Sequence, residues 1–242
     1  MEIYGIRSII EAVESSKEIS KVYFIKSNQQ SNLLRTLISK LEKKSISFSF
    51  VPKEKFKKYE NKNHQGAIAI LSPISLYSIE ELIAKTYIKE KLQTYLLLDG
   101  ITDTRNFGAI IRTSVAAGAT GIIISQNNSA PINSDVIKTS SGAAFKIPIS
   151  KVQNLKDAII HLRSLEINVF SLSEKATKSI YDINYNRSMG LIMGSEEKGV
   201  SKGILKLSDE TLKVPINPDI DSLNVSVAFA VVIFEIARQR IS

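Results

Sequence analysis

Three short segments of the sequence combine glycine with amide, carboxylate or hydroxyl side chains. They are residues 99–108 (DGITDTRNFG), residues 194–199 (GSEEKG) and residues 222–226 (SLNVS), and Arg112 follows four residues after the first. Glycine lets a backbone approach a ligand closely, amides and carboxylates orient a ligand through hydrogen bonds, and arginine binds anions. Because the chain has no cysteine, thiolate chemistry is excluded. The segments therefore predict a site that holds and orients a polar ligand.

The polar segments lie beside apolar runs. Residues 95–98 precede the first and residues 190–193 precede the second, while the third follows residues 211–216. Runs that are apolar on both faces and alternate with helices are typical of a parallel sheet covered on both sides. Ligands bind beyond the carboxyl ends of such strands, which predicts that the segments share one edge. Further strands are predicted at 121–124 and 168–172, and helices at 108–117, 155–165 and 223–240.

The first third of the chain predicts a separate, small α/β domain. Residues 21–25, 47–51 and 66–71 have strand patterns, and residues 31–44 place one apolar stripe on a helix. A break at Ser72-Pro73 marks the boundary.

The whole chain is thus predicted to be α/β, in three parts. The expected parts are a first domain over 1–72, a linker over 73–93 with one helix near 79–84, and a second domain over 94–242.

Charge and composition narrow the class of protein. Residues 1–70 carry 13 Lys and Arg against 7 Asp and Glu, which is +6 of a formal net charge of +8. Such a basic region attracts a polyanion such as RNA, although lysine-rich surfaces are also common in soluble proteins. The isolated His64 and His161 argue against a metal site. Lacking an apolar run of roughly 18 residues or a leader pattern, the chain is expected to be cytoplasmic, without a membrane partner.

In this order, the three segments resemble the three motifs of the SpoU family of RNA ribose methyltransferases, within the SPOUT superfamily. The third motif's Ser-Leu-Asn-Val-Ser coincides with residues 222–226, and Ser141-Gly142-Ala143-Ala144 is also similar to the family. Thr104, Phe107 and Glu197 depart from the family's common residues. They lie beside the functional positions, so they bear on loop shape and substrate fit. In the first and second motifs, the matching residues are Asn106, Gly108, Arg112, Gly194, Glu196 and Gly199.

The resemblance implies a fold, a cofactor and a substrate. It implies a C-terminal α/β trefoil-knot domain with a parallel sheet, S-adenosyl-L-methionine as cofactor, and a homodimer. Residues 4–6 and 63–66 resemble the ends of the family's auxiliary RNA-binding domain, which is similar to the ribosomal protein L30e fold. The likeness is greatest to the branch that methylates a guanosine ribose in 23S ribosomal RNA, a transferase of class 2.1.1. His64 in the second of these ends is assigned no chemistry.

The resemblance also assigns residue roles. The catalytic candidates are Asn106, Arg112, Glu196, Ser222 and Asn224, and Ser222 is in addition expected to cap the last helix. The cofactor candidates are Gly194, Val214, Ile216, Leu223 and Asn224.

A ribose hydroxyl is a very weak acid, so it needs either a base or a positive charge that stabilises the alkoxide. Because a guanidinium stays protonated, we expect Arg112 to activate the hydroxyl electrostatically and not as a base. Asn106 is expected to bind the ribose or brace Arg112, and Glu196 to orient its loop and Arg112.

Three other functions fit parts of this pattern. A transfer RNA ribose methyltransferase of the same family would keep the chemistry and change the RNA. A non-catalytic RNA-binding protein is disfavoured by the set of polar motif residues, and a failure to bind S-adenosylmethionine would revive it. A nucleotide-dependent dehydrogenase ranks low because the turn over 99–108 lacks G-x-G-x-x-G.

Overall fold

The computed structural model describes residues 2–15, 18–26, 31–88, 91–220 and 222–241. The chain divides into two compact units, Met1–Ser75 with Pro131–Ser134, and Leu76–Ala130 with Asp135–Ser242. Residues 76–88, predicted to belong to a linker, contribute a strand and a helix to the second unit. Residues 89–90 of that predicted linker lie outside the described residues.

The first unit contains a mixed four-stranded sheet and two helices. The strand order is β1-β4-β2-β3, in which β4 runs antiparallel to both of its neighbours and β2 runs parallel to β3. Ser31 caps α2 by accepting a hydrogen bond from the Leu34 backbone at 3.2 Å. The elements are β1 Glu2–Tyr4, α1 Ile6–Glu14, β2 Ile19–Ile25, α2 Asn32–Lys43, β3 Phe48–Val51, a 3-10 turn Lys53–Tyr59 and β4 Ala67–Leu71.

The two helices of the first unit cover one face of this sheet. Ile9 and Leu37 are buried against Val22, Phe24 and other apolar residues of the strands. On the opposite face, the 3-10 turn adds Phe56 and Tyr59 to a smaller cluster. The predicted strands and the predicted helix of this region are confirmed.

The second unit is a parallel sheet with helices. In the strand order β10-β12-β9-β11-β6-β7-β8-β5, every neighbouring pair is parallel, so the predicted parallel α/β fold is confirmed. The elements are β5 Leu76–Tyr77, α3 Ile79–Thr86, β6 Thr94–Asp99, α4 Thr104–Ala116, β7 Gly121–Ser125, α5 Ser134–Thr139, β8 Ile149–Val152, α6 Leu155–Ser164, β9 Asn168–Leu172, β10 Lys178–Ser179, β11 Met189–Gly194, α7 Lys202–Leu205, β12 Glu210–Lys213 and α8 Val225–Arg240.

The strand order reverses between β6 and β11. From β6 the chain adds β7 and β8 on one side, then crosses to β9 and returns to place β11 between β9 and β6. The last pair of the β11–β6 ladder joins Gly194 to Asp99. In open parallel sheets, ligands bind at such a switch point. The first two polar segments therefore leave adjacent strands at the same edge.

Helices lie on both faces of this sheet. Side chains alternate along a strand, and Leu97, Ile123 and Ile192 pack with α3 and α6 on one face. The alternate strand residues point to the other face, where α4 and α8 contact one another. No helix within the described residues is both long and apolar enough to cross a membrane.

Three predicted boundaries were wrong. Helix α4 begins at Thr104, four residues before the predicted start, because the Asp103 carboxylate caps it. Strand β12 ends at Lys213, so Val214 to Ile216 lie beyond the ladder. Helix α8 begins at Val225 and not at the predicted residue 223. The prediction that Ser222 caps this helix was therefore wrong, because Asn224 occupies the capping position.

Candidate active site

Asp99 and Asp103 fix the segment that follows β6. The Asp99 carboxylate accepts a hydrogen bond from the Ser201 backbone at 2.8 Å, which ties this strand end to the segment after β11. Asp103 Oδ1 accepts from the backbone amides of Arg105 and Asn106, both at 2.8 Å. Asn106 thus lies in the first turn of α4, directly beyond the carboxyl edge of the sheet.

The segment after β11 folds back over the end of its own strand. Ser195 and Gly199 form an antiparallel bridge, and the Gly199 amide donates to the Ser195 carbonyl at 2.9 Å. A Cβ added to Gly194 would overlap the backbone of Gly199 and Val200. Glycine is therefore required at 194 because the returning backbone occupies the space that a side chain would fill. The turn presents Glu196 to solvent.

Asn224 closes the site from the start of α8. Its Oδ1 accepts hydrogen bonds from the Ser226 backbone at 3.0 Å and from the Ser226 hydroxyl at 2.6 Å. Capping of this kind orients the remaining half of the amide, Nδ2, away from the helix. One side chain therefore serves both the helix and the site.

Asn106, Glu196 and Asn224 form one hydrogen-bonded cluster. Glu196 Oε1 accepts from Asn106 Nδ2 at 3.0 Å and from Asn224 Nδ2, and Asn224 Nδ2 also donates to Asn106 Oδ1 at 3.1 Å. The two Asn224 hydrogens are both used, whereas within the described part of the chain Asn106 Nδ2 has one acceptor for its two hydrogens. Asn106 is therefore the member of the cluster that can donate a hydrogen bond to a bound molecule.

Arg112 and Ser222 lie outside this cluster. Arg112 is exposed, and its guanidinium has neither a hydrogen bond nor an ion pair with any residue that the structure describes. The expected contacts of Arg112 with Asn106 and Glu196 are thus not present. Six residues along a helix turn a side chain by about 240° from its starting direction, so Asn106 and Arg112 flank the buried face of α4 on opposite sides. Ser222 is exposed and precedes the cap by two residues.

All five cofactor candidates line a single cleft of about 530 Å³. This volume lies within the range of small-molecule sites in proteins. The walls combine apolar side chains with backbone next to Gly194 and Gly199, and they also carry three carboxylates and three ammonium groups. Those charged residues are Glu174, Lys175, Glu196, Glu197, Lys198 and Lys202.

Two groups of site residues were missed from the sequence. Ser173, Glu174 and Lys175 line the cleft, and their position after β9 was a usable signal because that strand ends at the same edge. Asp103 was missed as a cap because the helix was expected to begin at Gly108. An Asp before a helical pattern is the signal that predicts such a cap.

The two segments that resemble the ends of the family's auxiliary domain lie next to one another in the first unit. The Gly5 amide donates to the Ala67 carbonyl at 3.1 Å, and Gln65 Oε1 accepts from the Ile6 amide at 3.3 Å. His64 Nδ1 accepts from the Gly66 amide at 2.9 Å, and its ring lies 5.0 Å from that of Phe56. The contacts of Gly5 and Ile6 hold the start of α1, and those of His64 stabilise its own turn.

Both parts of the chain match models of known protein families. Residues 93–234 match the SpoU rRNA Methylase family, and residues 3–77 match the family described as RNA 2'-O ribose methyltransferase substrate binding.

Two relatives match nearly the full chain. The 23S rRNA (guanosine-2'-O-)-methyltransferase RlmB of Vibrio vulnificus is 30% identical over 99% of this chain and 97% of its own. A protein of the TrmH family of tRNA/rRNA methyltransferases from Staphylococcus epidermidis is 28% identical over 98% of this chain and 95% of its own.

A solved structure has the same fold. The SpoU methyltransferase AviRb from Streptomyces viridochromogenes, solved in complex with AdoMet, superposes with a TM-score of 0.64 at 21% identity, covering 100% of this chain and 91% of AviRb.

Proposed function

Because the chain belongs to the SpoU rRNA methylase family, we propose that it transfers a methyl group from S-adenosylmethionine to the ribose 2′-hydroxyl of a guanosine in 23S ribosomal RNA. The observation that carries this proposal is the Asn106–Glu196–Asn224 cluster at the rim of the cleft. The family and the relatives give the reaction class, a methyltransferase of class 2.1.1. The first unit, which matches the substrate-binding family, is the proposed RNA-selecting domain.

The cleft is the proposed site for S-adenosylmethionine. Its size, its exposed backbone beside Gly194, and its neighbouring acidic and basic groups fit a molecule with an adenine, an ammonium and a carboxylate. Val214, Ile216 and Leu223 supply apolar surface and backbone on one wall. When bound, the sulfonium supplies an electrophilic methyl group.

The polar residues have distinct proposed roles. Asn106 donates its remaining N–H to the target ribose, and Glu196 with Asn224 holds the Asn106 amide in that orientation. Positioning of this kind supplies several kcal/mol of the barrier reduction in enzymes. Ser222, in the segment that leads to α8, is proposed to bind a polar group of the cofactor or ribose.

Arg112 is the proposed activating residue. Its exposed guanidinium has no protein partner among the described residues, so it can bind a phosphate of the RNA without breaking an ion pair. A permanent positive charge next to the 2′-oxygen stabilises the alkoxide as it forms. The proton leaves to a phosphate or to water.

We also propose the knotted topology and a homodimer. Helix α8 exposes Val227 and Phe234, and Ile241 follows its last residue, so that the three are spaced by seven residues and are 50%, 50% and 85% exposed. This spacing puts the three on one face, and burial against a second copy would remove them from water. Sedimentation of the purified chain measures the oligomeric state, and a monomer at micromolar concentration would exclude the dimer.

The function is tested with purified protein, methyl-labelled S-adenosylmethionine and RNA transcripts. We expect label in 23S ribosomal RNA and none when the target guanosine carries a 2′-deoxyribose. Arg112→Lys should lose at least about tenfold in kcat/KM if the planar, bidentate guanidinium is used. Arg187→Gln is the control, because Arg187 is exposed and precedes β11, at the opposite edge of the sheet.

Other results would change the proposal in defined ways. Label in one transfer RNA position and none in ribosomal RNA would favour the transfer RNA alternative. Calorimetry that detects no binding of S-adenosylmethionine would favour the non-catalytic RNA-binding protein. Full activity of Arg112→Lys would refute the bidentate role of Arg112 and leave the reaction class in place.

A further inference from the structure

Two arginines lie on the same face of α4. Arg105 and Arg112 are seven residues apart, which places their side chains about 20° from one another around the helix and about 10.5 Å apart along it. Both are exposed. Neither guanidinium has a hydrogen bond or an ion pair with a described residue, although five ion pairs form elsewhere among the described residues. This face of α4 therefore carries two positive charges without a protein partner among the described residues, with Arg105 in the first turn at the carboxyl edge and Arg112 two turns further along the helix.

A turn that carries an exposed phenylalanine packs on the same helix. The 3-10 turn Ala143–Phe145 packs on α4, and Gly108, which lies between the two arginines on their face, approaches Thr139 so closely that an added Cβ would be 2.6 Å from the Thr139 Cβ. Ala143 and Ala144 are buried and anchor the turn, whereas Phe145 is 63% exposed. Phe145 is thus the exposed residue of a turn whose other two residues are buried.

Proteins that bind single-stranded nucleic acid combine positively charged side chains with exposed aromatic rings. Arginines bind successive phosphates, and an exposed aromatic ring stacks on a base whatever its identity. An acidic peptide would use the arginines without the ring, and an apolar partner would use the ring without the arginines. The two features together favour RNA.

We propose that Arg105 and Phe145 bind the RNA strand that flanks the target nucleotide. This proposal rests on the proposed function and extends it to two residues that are not among the matched motif positions. Arg105 binds a phosphate one or two nucleotides from the phosphate held by Arg112, and Phe145 stacks on an unpaired base. The strand is thereby fixed on both sides of the ribose that Asn106 contacts.

The test measures RNA binding and methylation separately. A short single-stranded RNA with one 2-aminopurine reports stacking through quenching of its fluorescence. We expect Phe145→Ala to abolish the quenching and to weaken binding by about 5- to 150-fold, the range for loss of one stacked base, while Phe145→Trp retains both. The slope of log K against log salt concentration is negative. Arg105→Gln should make it shallower by roughly 0.7, the value for one phosphate contact on a single strand.

Two matched control variants test whether the effects are specific to Arg105 and Phe145. Ile160→Ala removes another exposed apolar side chain, on α6 at the opposite face of the sheet, and Arg187→Gln removes another exposed arginine. Neither should change the quenching or the salt slope. In methylation assays, the Arg105 and Phe145 variants should raise the KM for RNA with little change in the affinity for S-adenosylmethionine.

The outcomes separate this inference from the proposed function. Wild-type methylation with unchanged KM in Phe145→Ala and Arg105→Gln would overturn the inference alone. Absence of methylation in the wild type, with quenching that still depends on Phe145, would overturn the proposed function alone. If Phe145→Ala instead converted a dimer to a monomer and left RNA binding unchanged, Phe145 would belong to a subunit interface and the inference would be wrong.

Discussion

Replacement of Asn224 separates its structural contribution from its contribution to the site. Asn224 Oδ1 caps α8, whereas Nδ2 contacts Asn106 and Glu196. Asn224→Ala loses both, Asn224→Ser keeps a capping oxygen without the amide donor, and Asn224→Asp keeps the cap but places a second carboxylate beside Glu196. The three variants therefore have different expected effects on stability and activity.

The magnitudes follow from the contacts. Loss of a cap costs about 1 kcal/mol, and loss of two hydrogen bonds between partly exposed groups adds about 1 kcal/mol in total. The alanine variant should therefore unfold about 4–8 °C below the wild type, at about 2–4 °C per kcal/mol for a chain of this size. The serine variant should lose about half as much. In the aspartate variant, repulsion of about 1–4 kcal/mol between two carboxylates is partly offset by the helix dipole.

Activity should not follow the stability of these variants. All three lose the donor that holds Asn106 and Glu196, so each should lose about 100-fold in kcat/KM even where folding is retained. Thermal unfolding followed by circular dichroism gives the stability, and methyl transfer to 23S ribosomal RNA at 25 °C gives the activity. The reasoning is refuted if Asn224→Ser keeps more than half of the wild-type kcat/KM.

Two further perturbations test other features of the site and the fold. Gly194→Ala should lower the affinity for S-adenosylmethionine at least about tenfold in calorimetry, because its Cβ would overlap backbone, whereas Gly203→Ala meets only the flexible end of Lys156 and should bind normally. Hydrogen bonds from Arg238 lower the pKa of Glu235 to about 2. Because this pKa is depressed, the pair stabilises the fold above pH 4.5 and progressively less as the pH falls towards 2. In urea unfolding at pH 7 and pH 3, Glu235→Gln should reduce the difference between the two pH values, and an unchanged difference would exclude a contribution from Glu235.

Much of the fold could be predicted from local sequence patterns. The strand at residues 121–124 and the helix at 31–44 follow from apolar periodicity, which depends only on neighbours along the chain. The parallel sheet followed from runs that are apolar on both faces. Element ends were less predictable, since Asp103 and Asn224 determine two helix starts through single side-chain hydrogen bonds.

The polar residues of the site could be identified from the sequence, but not their contacts. Asn106 and Glu196 are 90 residues apart, and Asn106 and Asn224 are 118 apart. Their hydrogen bonds exist because β11 inserts next to β6 and because α8 starts beside α4. The sequence alone determined which side chains are available for binding and which strands precede them. The tertiary structure decided that Asn106, Glu196 and Asn224 form one cluster and that Arg112 does not join it, because strand order and helix rotation are set by packing between distant parts of the chain.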